Sequence, residues 1–219
     1  ASEQAQLQAS VVGGGTEEWQ KDPSLAGGGR VGGVDLSYIK GGGGSACASL
    51  VVLSYPALEV LQGGCRMVAV SAPYVAGGVA FREVPFLVEA GGGLQQEQPK
   101  LKPQVGGISF EGGWLLAGFG VACHLGGVTD LPCVGVAKNR GGVDGLARDE
   151  LHREGGSPGG GFIATLLRGG ENWGSRALRS CNNGGEPLYV SVGHRVSRGG
   201  AVRLVKSCCR YRGGEPIRQ

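Results

Sequence analysis

The chain has 219 residues, 41% of them hydrophobic, enough for one domain with a sizeable core. Lysine and arginine number 21 against 18 acids, a formal net charge of +3 that permits a nucleic-acid partner without arguing for one, and no strongly basic tail is read in the sequence. No apolar run approaches the ~18 residues of a membrane span, and the start from Ala1 to Gln6 is too polar for a signal peptide, so no membrane partner is expected.

Glycine is abnormal in amount and placement: 46 of 219 residues, 40 of them in 17 runs of two or more along the whole chain. Each glycine inside a helix or strand costs roughly 0.5–1 kcal/mol relative to alanine. The doublets cut regular apolar patterns, as Gly106 and Gly107 do between Val105 and Ile108, so the other residues carry the reading. The seven cysteines are Cys47, Cys65, Cys123, Cys133, Cys181, Cys208 and Cys209; they form no C-x-x-C pair and no zinc spacing. Several have apolar neighbours, which predicts buried, reduced thiols in an intracellular protein.

In chain order, Ser2 to Val12 reads as a short helix with Ser2 as N-cap; Ala5 leaves the capping box incomplete. Val31 to Ile39, Ala46 to Tyr55 and Cys65 to Val70 read as three strands of an antiparallel meander. Val79 to Leu94 reads as a helix, because Ala80, Phe81, Val84, Leu87 and Val88 recur at helical spacing. Gln98 to Gln104, with Pro99 and Pro103, is a connector. Val105 to Phe110 reads as a strand, Gly120 to Leu125 as the opening of a helix, and Pro132 to Ala137 as a short buried strand. Gly155 to Gly174 reads as loop, Leu188 to Val192 as a strand, and Ala201 to Cys209 as a basic helix. No fixed-period repeat and no internal boundary divide the chain, so residues 1–219 are expected to form a single α/β domain.

Two acids stand out. Asp35 lies in the apolar strand, where a carboxylate is costly to bury unless it is paired or bound to a metal. Glu83 lies on the second helix. Together they could hold a hard divalent cation, which activates water and stabilises the leaving oxygen of a phosphodiester. Each has a plainer reading: Asp35 as a satisfied structural acid, Glu83 as a surface residue or a partner of Arg82.

Eight stretches, in the same order, resemble the endonuclease V family in its animal form. They are residues 30–38 (RVGGVDLSY), 46–54 (ACASLVVLS), 72–75 (APYV), 80–87 (AFREVPFL), 118–125 (GFGVACHL), 129–138 (TDLPCVGVAK), 187–195 (PLYVSVGHR) and 201–204 (AVRL). The resemblance covers most of the chain from residue 30 onward. It implies a ribonuclease H-like fold: a central mixed sheet, three antiparallel strands then parallel strands, flanked by helices. The order of the elements above agrees.

The resemblance further implies a magnesium-dependent endonuclease, with manganese able to substitute. It would cut a phosphodiester bond 3′ to inosine in single-stranded RNA, with deaminated DNA as a further substrate. A monomer in the cytoplasm and the nucleus or nucleolus is expected. Asp35 and Glu83 match the metal-binding carboxylates, His194 a histidine near the attacking water, and Lys138 a lysine at the scissile phosphate. Pro73, Tyr74 and Val75 match the wedge that fills the gap of the displaced base, and Val79 and Gly112 belong to the same nucleic-acid contact set. A ring stacked on a base is worth roughly 1–3 kcal/mol, which suits Tyr74, and flipping a base out is how enzymes read damaged bases. Without the resemblance, His194 reads as a turn residue, Lys138 as a solvated strand end and Tyr74 as half-buried core. His124 reads as structural.

The chain departs from the family at one critical place. Ser109 stands where the family has a further metal-binding aspartate, and Phe110 replaces a glycine bordering the base pocket. A hydroxyl is a weak, neutral ligand. Glu111, two residues on, could share a face with Ser109 and reach the metal. Residues 155–170 match nothing in the family. The alternative function is therefore a binder of the same fold that does not cut, keeping Tyr74 and the basic helix with Arg203, Lys206 and Arg210. A scaffold without nucleic acid has only the low net charge behind it.

Overall fold

The computed structural model describes residues 2–22, 24–25, 29–41, 43–72, 79–97, 99–109, 120–137, 163–168, 171–179 and 187–209. Helix α1 (Ser2–Ser10) is followed by a 3-10 turn at Glu18–Gln20, then strands β1 (Arg30–Tyr38), β2 (Ser45–Ser54) and β3 (Val60–Ala69). Helix α2 (Val79–Glu97) and a second 3-10 turn (Pro99–Leu101) lead to β4 (Val105–Ser109). Then come α3 (Val121–Thr129), β5 (Cys133–Ala137), β6 (Ile163–Arg168), β7 (Glu171–Arg179), β8 (Pro187–His194) and α4 (Arg198–Ser207).

The strands form one sheet in the order β3-β2-β1-β4-β5-β8-β7-β6. β1, β2 and β3 make the antiparallel meander; β1, β4 and β5 run parallel, and β8 closes antiparallel on β5. Alternation along β1 sends successive side chains to opposite faces. Val31 joins Leu53, Val105, Val134 and Val190 in a core capped by Ala201, Val202, Leu204 and Val205 of α4. Val34 and Leu36 join Leu50 and Val52 in a second core, capped by Ala80, Val84 and Leu87 of α2 and Val121 and Leu125 of α3. Each valine or leucine among them contributes roughly 1.5–3 kcal/mol when fully buried. Helices on both faces of a mixed sheet with this strand order make the ribonuclease H-like fold.

The expected elements are present with shifted ends, and two differences follow from glycine. β3 starts at Val60, ahead of the predicted Cys65, because Gly63 and Gly64 mask the continuation of the strand. α4 starts at Arg198, three residues early, because Gly199 and Gly200 mask its first turn; Ser197 caps it, its side chain accepting from Gly200 N at 3.0 Å. Residues 155–174 are a correction. Ile163–Arg168 and the start of Glu171–Arg179 are antiparallel strands, not loop. The apolar run Ile163 to Leu167 and the glycine pair that follows at 169–170 are a hairpin signal.

Some glycines are obligatory. A Cβ on Gly193 would lie 2.8 Å from the Ala122 backbone, and one on Gly126 would overlap the Cβ of His194, so α3 and β8 touch only because both are bare. Others, such as Gly91, Gly92 and Gly93 on α2, face open space.

Candidate active site

Asp35 lies on β1 opposite Ser49 of β2, half-buried, and Ser37 Oγ approaches its Oδ2 at 3.4 Å. Glu83 lies in the second turn of α2 and is 3% exposed. It is buried because its neighbours Ala80, Val84 and Leu87 press that stripe of the helix onto the sheet. A buried carboxylate needs compensation, and Tyr38, at the end of β1, donates its hydroxyl to Glu83 Oε1 at 3.0 Å. The Arg82 guanidinium stands 4.9 Å over the Tyr38 ring, a cation–π contact. One strand end thus carries Asp35 and, three residues on, the group that fixes Glu83.

Ser109 is the last residue of β4, the parallel neighbour of β1. The register sets Ile108 beside Gly33, so β4 ends about one residue short of the level of Asp35. Of Ser109 and of Val79, the first residue of α2, the backbone alone is described. Pro73, Tyr74, Val75, Phe110, Glu111, Gly112 and Lys138 lie outside the described residues.

His194 is a correction. It pairs with Cys133 at the start of β5, whereas Asp35 lies toward the end of β1, three strands away. Strand spacings put the two roughly 15–18 Å apart. The ring is 1% exposed and held on both sides: Val12 N donates to Nδ1 at 3.1 Å, and Nε2 faces Asp130 Oδ1 at 3.1 Å. Since Nδ1 accepts, the ring proton sits on Nε2. Arg195 completes the cluster, donating to Asp130 from Nε at 2.9 Å and from Nη2 at 3.1 Å. Asp130 caps α3 in the left-handed conformation, φ 54°. The His194 and Arg195 bonds, in that order of weight, hold its carboxyl below the ordinary range. This cluster joins α3, β8 and the segment after α1. It serves the fold, and a buried ring bonded at both nitrogens has no place for an attacking water.

His124 is structural, as its setting on α3 suggests. It is buried edge-on to Phe81, with ring centroids 4.7 Å apart. Burial pushes its imidazole below the ordinary value, and the nearby Glu3 pulls weakly the other way.

Sequence reasoning misses Tyr38 and Asp130. An aromatic three residues past an acid on a strand end is the available signal for Tyr38. Asp130 gives none, because its role depends on a strand 64 residues away in sequence.

Asp35 and Glu83 supply hard oxygen donors of the kind a small divalent cation takes. Among the described residues no group of three or more His, Cys, Asp or Glu side chains is gathered to hold a metal. The donor chemistry fits such an ion, with further donors required beyond these two.

The Endonuclease V family model matches residues 16–219. Endonuclease V of Mus musculus is 53% identical over 226 residues, spanning 99% of this chain and 65% of its own length, so the chain covers a little under two thirds of that relative. The catalytic domain of human Endonuclease V superposes with a TM-score of 0.90 at 51% identity, over 100% of this chain and 89% of that one. Endonuclease V of Ciona intestinalis, in complex with a 24mer DNA containing an inosine followed by a ribo-adenosine, superposes with a TM-score of 0.83 at 29% identity, over 99% of this chain and 91% of that one. With its strand order and a family match to all but its first fifteen residues, the chain belongs to the Endonuclease V family.

Proposed function

We propose that this chain, as one domain, is a divalent-metal-dependent endonuclease that hydrolyses a phosphodiester bond 3′ to inosine in single-stranded RNA. Inosine-containing DNA is a second substrate, as the substrate bound by the Ciona relative suggests. The observation that carries the reading is the buried Glu83 carboxylate, tied by Tyr38 to the strand that bears Asp35, in a chain of this family. Magnesium, with manganese as a substitute, would be held by Asp35 and Glu83. When bound, it would supply an activated water and stabilise the leaving oxygen. Glu83 offers its carboxylate from a dry wall, and Tyr38 fixes one of its oxygens. Pro73, Tyr74 and Val75 follow β3 in the chain and are assigned the gap left by the displaced base; Lys138 is assigned to the scissile phosphate, and Val79 and Gly112 to the same nucleic-acid contact set.

Ser109 favours a second reading, a protein that binds inosine-containing strands and cuts poorly. A hydroxyl in place of a carboxylate leaves the ion under-neutralised unless Glu111 supplies the charge. Cleavage of a single-stranded RNA oligonucleotide with one inosine, with magnesium, with manganese and with chelator, separates the two. A metal-dependent cut absent from the all-adenosine control and from Asp35→Asn and Glu83→Gln supports the enzyme. Binding without a cut supports the second reading, and neither binding nor cutting overturns both.

A further inference from the structure

β2 and β3 bring two thiols together on one face of the sheet. The register pairs Cys47 with Met67 and Ser49 with Cys65, which makes Cys47 and Cys65 diagonal neighbours across an antiparallel pair. Diagonal partners on one face lie about 7–8 Å apart, Cβ to Cβ somewhat less, so the Cys47 and Cys65 side chains are neighbours across the β2–β3 ladder. Both are free; Cys65 is exposed and Cys47 is half-buried. β3 is an edge strand, so it can shear against β2 without straining a neighbour on its other side. That freedom matters, because a disulfide wants Cα atoms about 4.4–6.8 Å apart, a little closer than a relaxed diagonal. Among the other described cysteines, Cys133 and Cys208 are buried and Cys123 and Cys209 are half-buried; burial pushes the Cys123 and Cys133 thiols up, as it does that of Cys47, so what sets the Cys47–Cys65 pair apart is the exposed Cys65 beside it on an edge strand.

We propose that Cys47 and Cys65 form a dithiol redox site, which a small disulfide oxidant converts into a cross-strand disulfide tying β3 to β2. The Cys65 thiolate attacks one sulfur of the oxidant and expels the first thiolate, leaving a mixed disulfide on the exposed strand. The Cys47 thiolate then attacks the Cys65 sulfur and expels the second. Two protons leave the protein, the two cysteines are oxidised, and one oxidant molecule is reduced to two thiols. The site lies near the candidate active site: Asp35, Ser49 and Cys65 occupy one row across β1, β2 and β3. The inference itself does not depend on the nuclease reading.

The test uses the folded, reduced chain. It is exposed to oxidised glutathione, quenched by alkylation and mapped by mass spectrometry, with a dithiothreitol-treated sample beside it. The expected product is a peptide pair joining Cys47 to Cys65, lost on reduction. Cys47→Ser should instead accumulate glutathione on Cys65, and Cys65→Ser should give neither product. A glutathione adduct that persists on Cys65 of the unaltered chain overturns the proposal, as does a link elsewhere while both thiols stay alkylatable. The decisive sample is the unaltered chain, so a variant that folds poorly leaves the test intact.

Discussion

Tyr38 spends its hydroxyl on Glu83 and its ring face on Arg82, so a single atom separates two of its duties. Tyr38→Phe keeps the ring and removes the bond. A net hydrogen bond to a charged group is worth about 1.5–3 kcal/mol of stability, so the metal-free chain should melt roughly 3–12 °C lower, and metal affinity measured by calorimetry should change as Glu83 loses its fixed orientation. An unchanged affinity would mean Glu83 is oriented without Tyr38. Ser109→Asp tests the other deficit: it should raise cleavage by orders of magnitude if the missing charge limits the reaction, and no gain would locate the limit elsewhere. Two further residues set the response to acid. Asp130 has its carboxyl value depressed in the fold, so its stabilisation is complete above the ordinary carboxylate value and is lost as pH falls through the depressed one. The side chain is 70% exposed, which screens the effect. In urea melts, wild type should exceed Asp130→Asn at neutral pH, with the gap closing only below the carboxylate range. His124 acts in a higher window. Its folded value is depressed below the ordinary 6.5, so the unfolded chain takes the proton first and stability starts to drop as pH falls through that value.

At the scale of elements, the sequence is legible wherever non-glycine residues hold the period. β1, β2 and α2 are found to within a few residues, because Val31, Val34 and Leu36 alternate and Ala80, Val84 and Leu87 return every three or four positions. The ends of β3 and α4 and the whole of β6 and β7 are not, because glycines erase one or two beats of a pattern only five to ten residues long. The doublets also differ in kind. Gly91 and Gly92 line a cavity of about 190 Å³ between α2, α3 and the sheet, beside Val34, Leu87 and Leu125, and a Cβ there meets nothing within 4 Å. Gly91→Ala and Gly92→Ala should each stabilise by about 0.5–1 kcal/mol, read as a higher urea midpoint with unchanged slope. Gly193→Ala should do the reverse, costing about 1–3 kcal/mol, since the new methyl is forced against the Ala122 backbone. Loss of stability in the first pair, or none in the last, would contradict this packing.

For the whole molecule, fold is easier to read than site. The fold class follows from the order of the elements that local patterns reveal, the meander and then alternating helices and strands, whereas the β7 and β6 edge of the sheet does not. The site depends on which side chains the folded sheet gathers, and no local pattern encodes that. Asp35 and Glu83 stand out in the sequence as acids in unusual places; that Tyr38 holds Glu83 requires α2 docked on β1, and that His194 belongs to another end of the sheet requires the pairing of β5 with β8. Electrostatics is a property of the entire surface. A net charge of +3 is a weak general attraction for a polyanion, so binding of an inosine oligonucleotide should weaken with salt, with a shallow slope set by a few contacts. A flat response would point away from phosphate recognition.

The bond from Val12 N to His194 Nδ1 has a further consequence. It makes the N-terminal segment part of the wall around an aromatic ring with one allowed proton arrangement. Nitrogen NMR of that imidazole would therefore act as an internal gauge of whether the first dozen residues are docked. A chain trimmed before Val12 would release Nδ1 to water, let the ring exchange between tautomers, and loosen the end of the sheet farthest from the acids while leaving the acids themselves untouched.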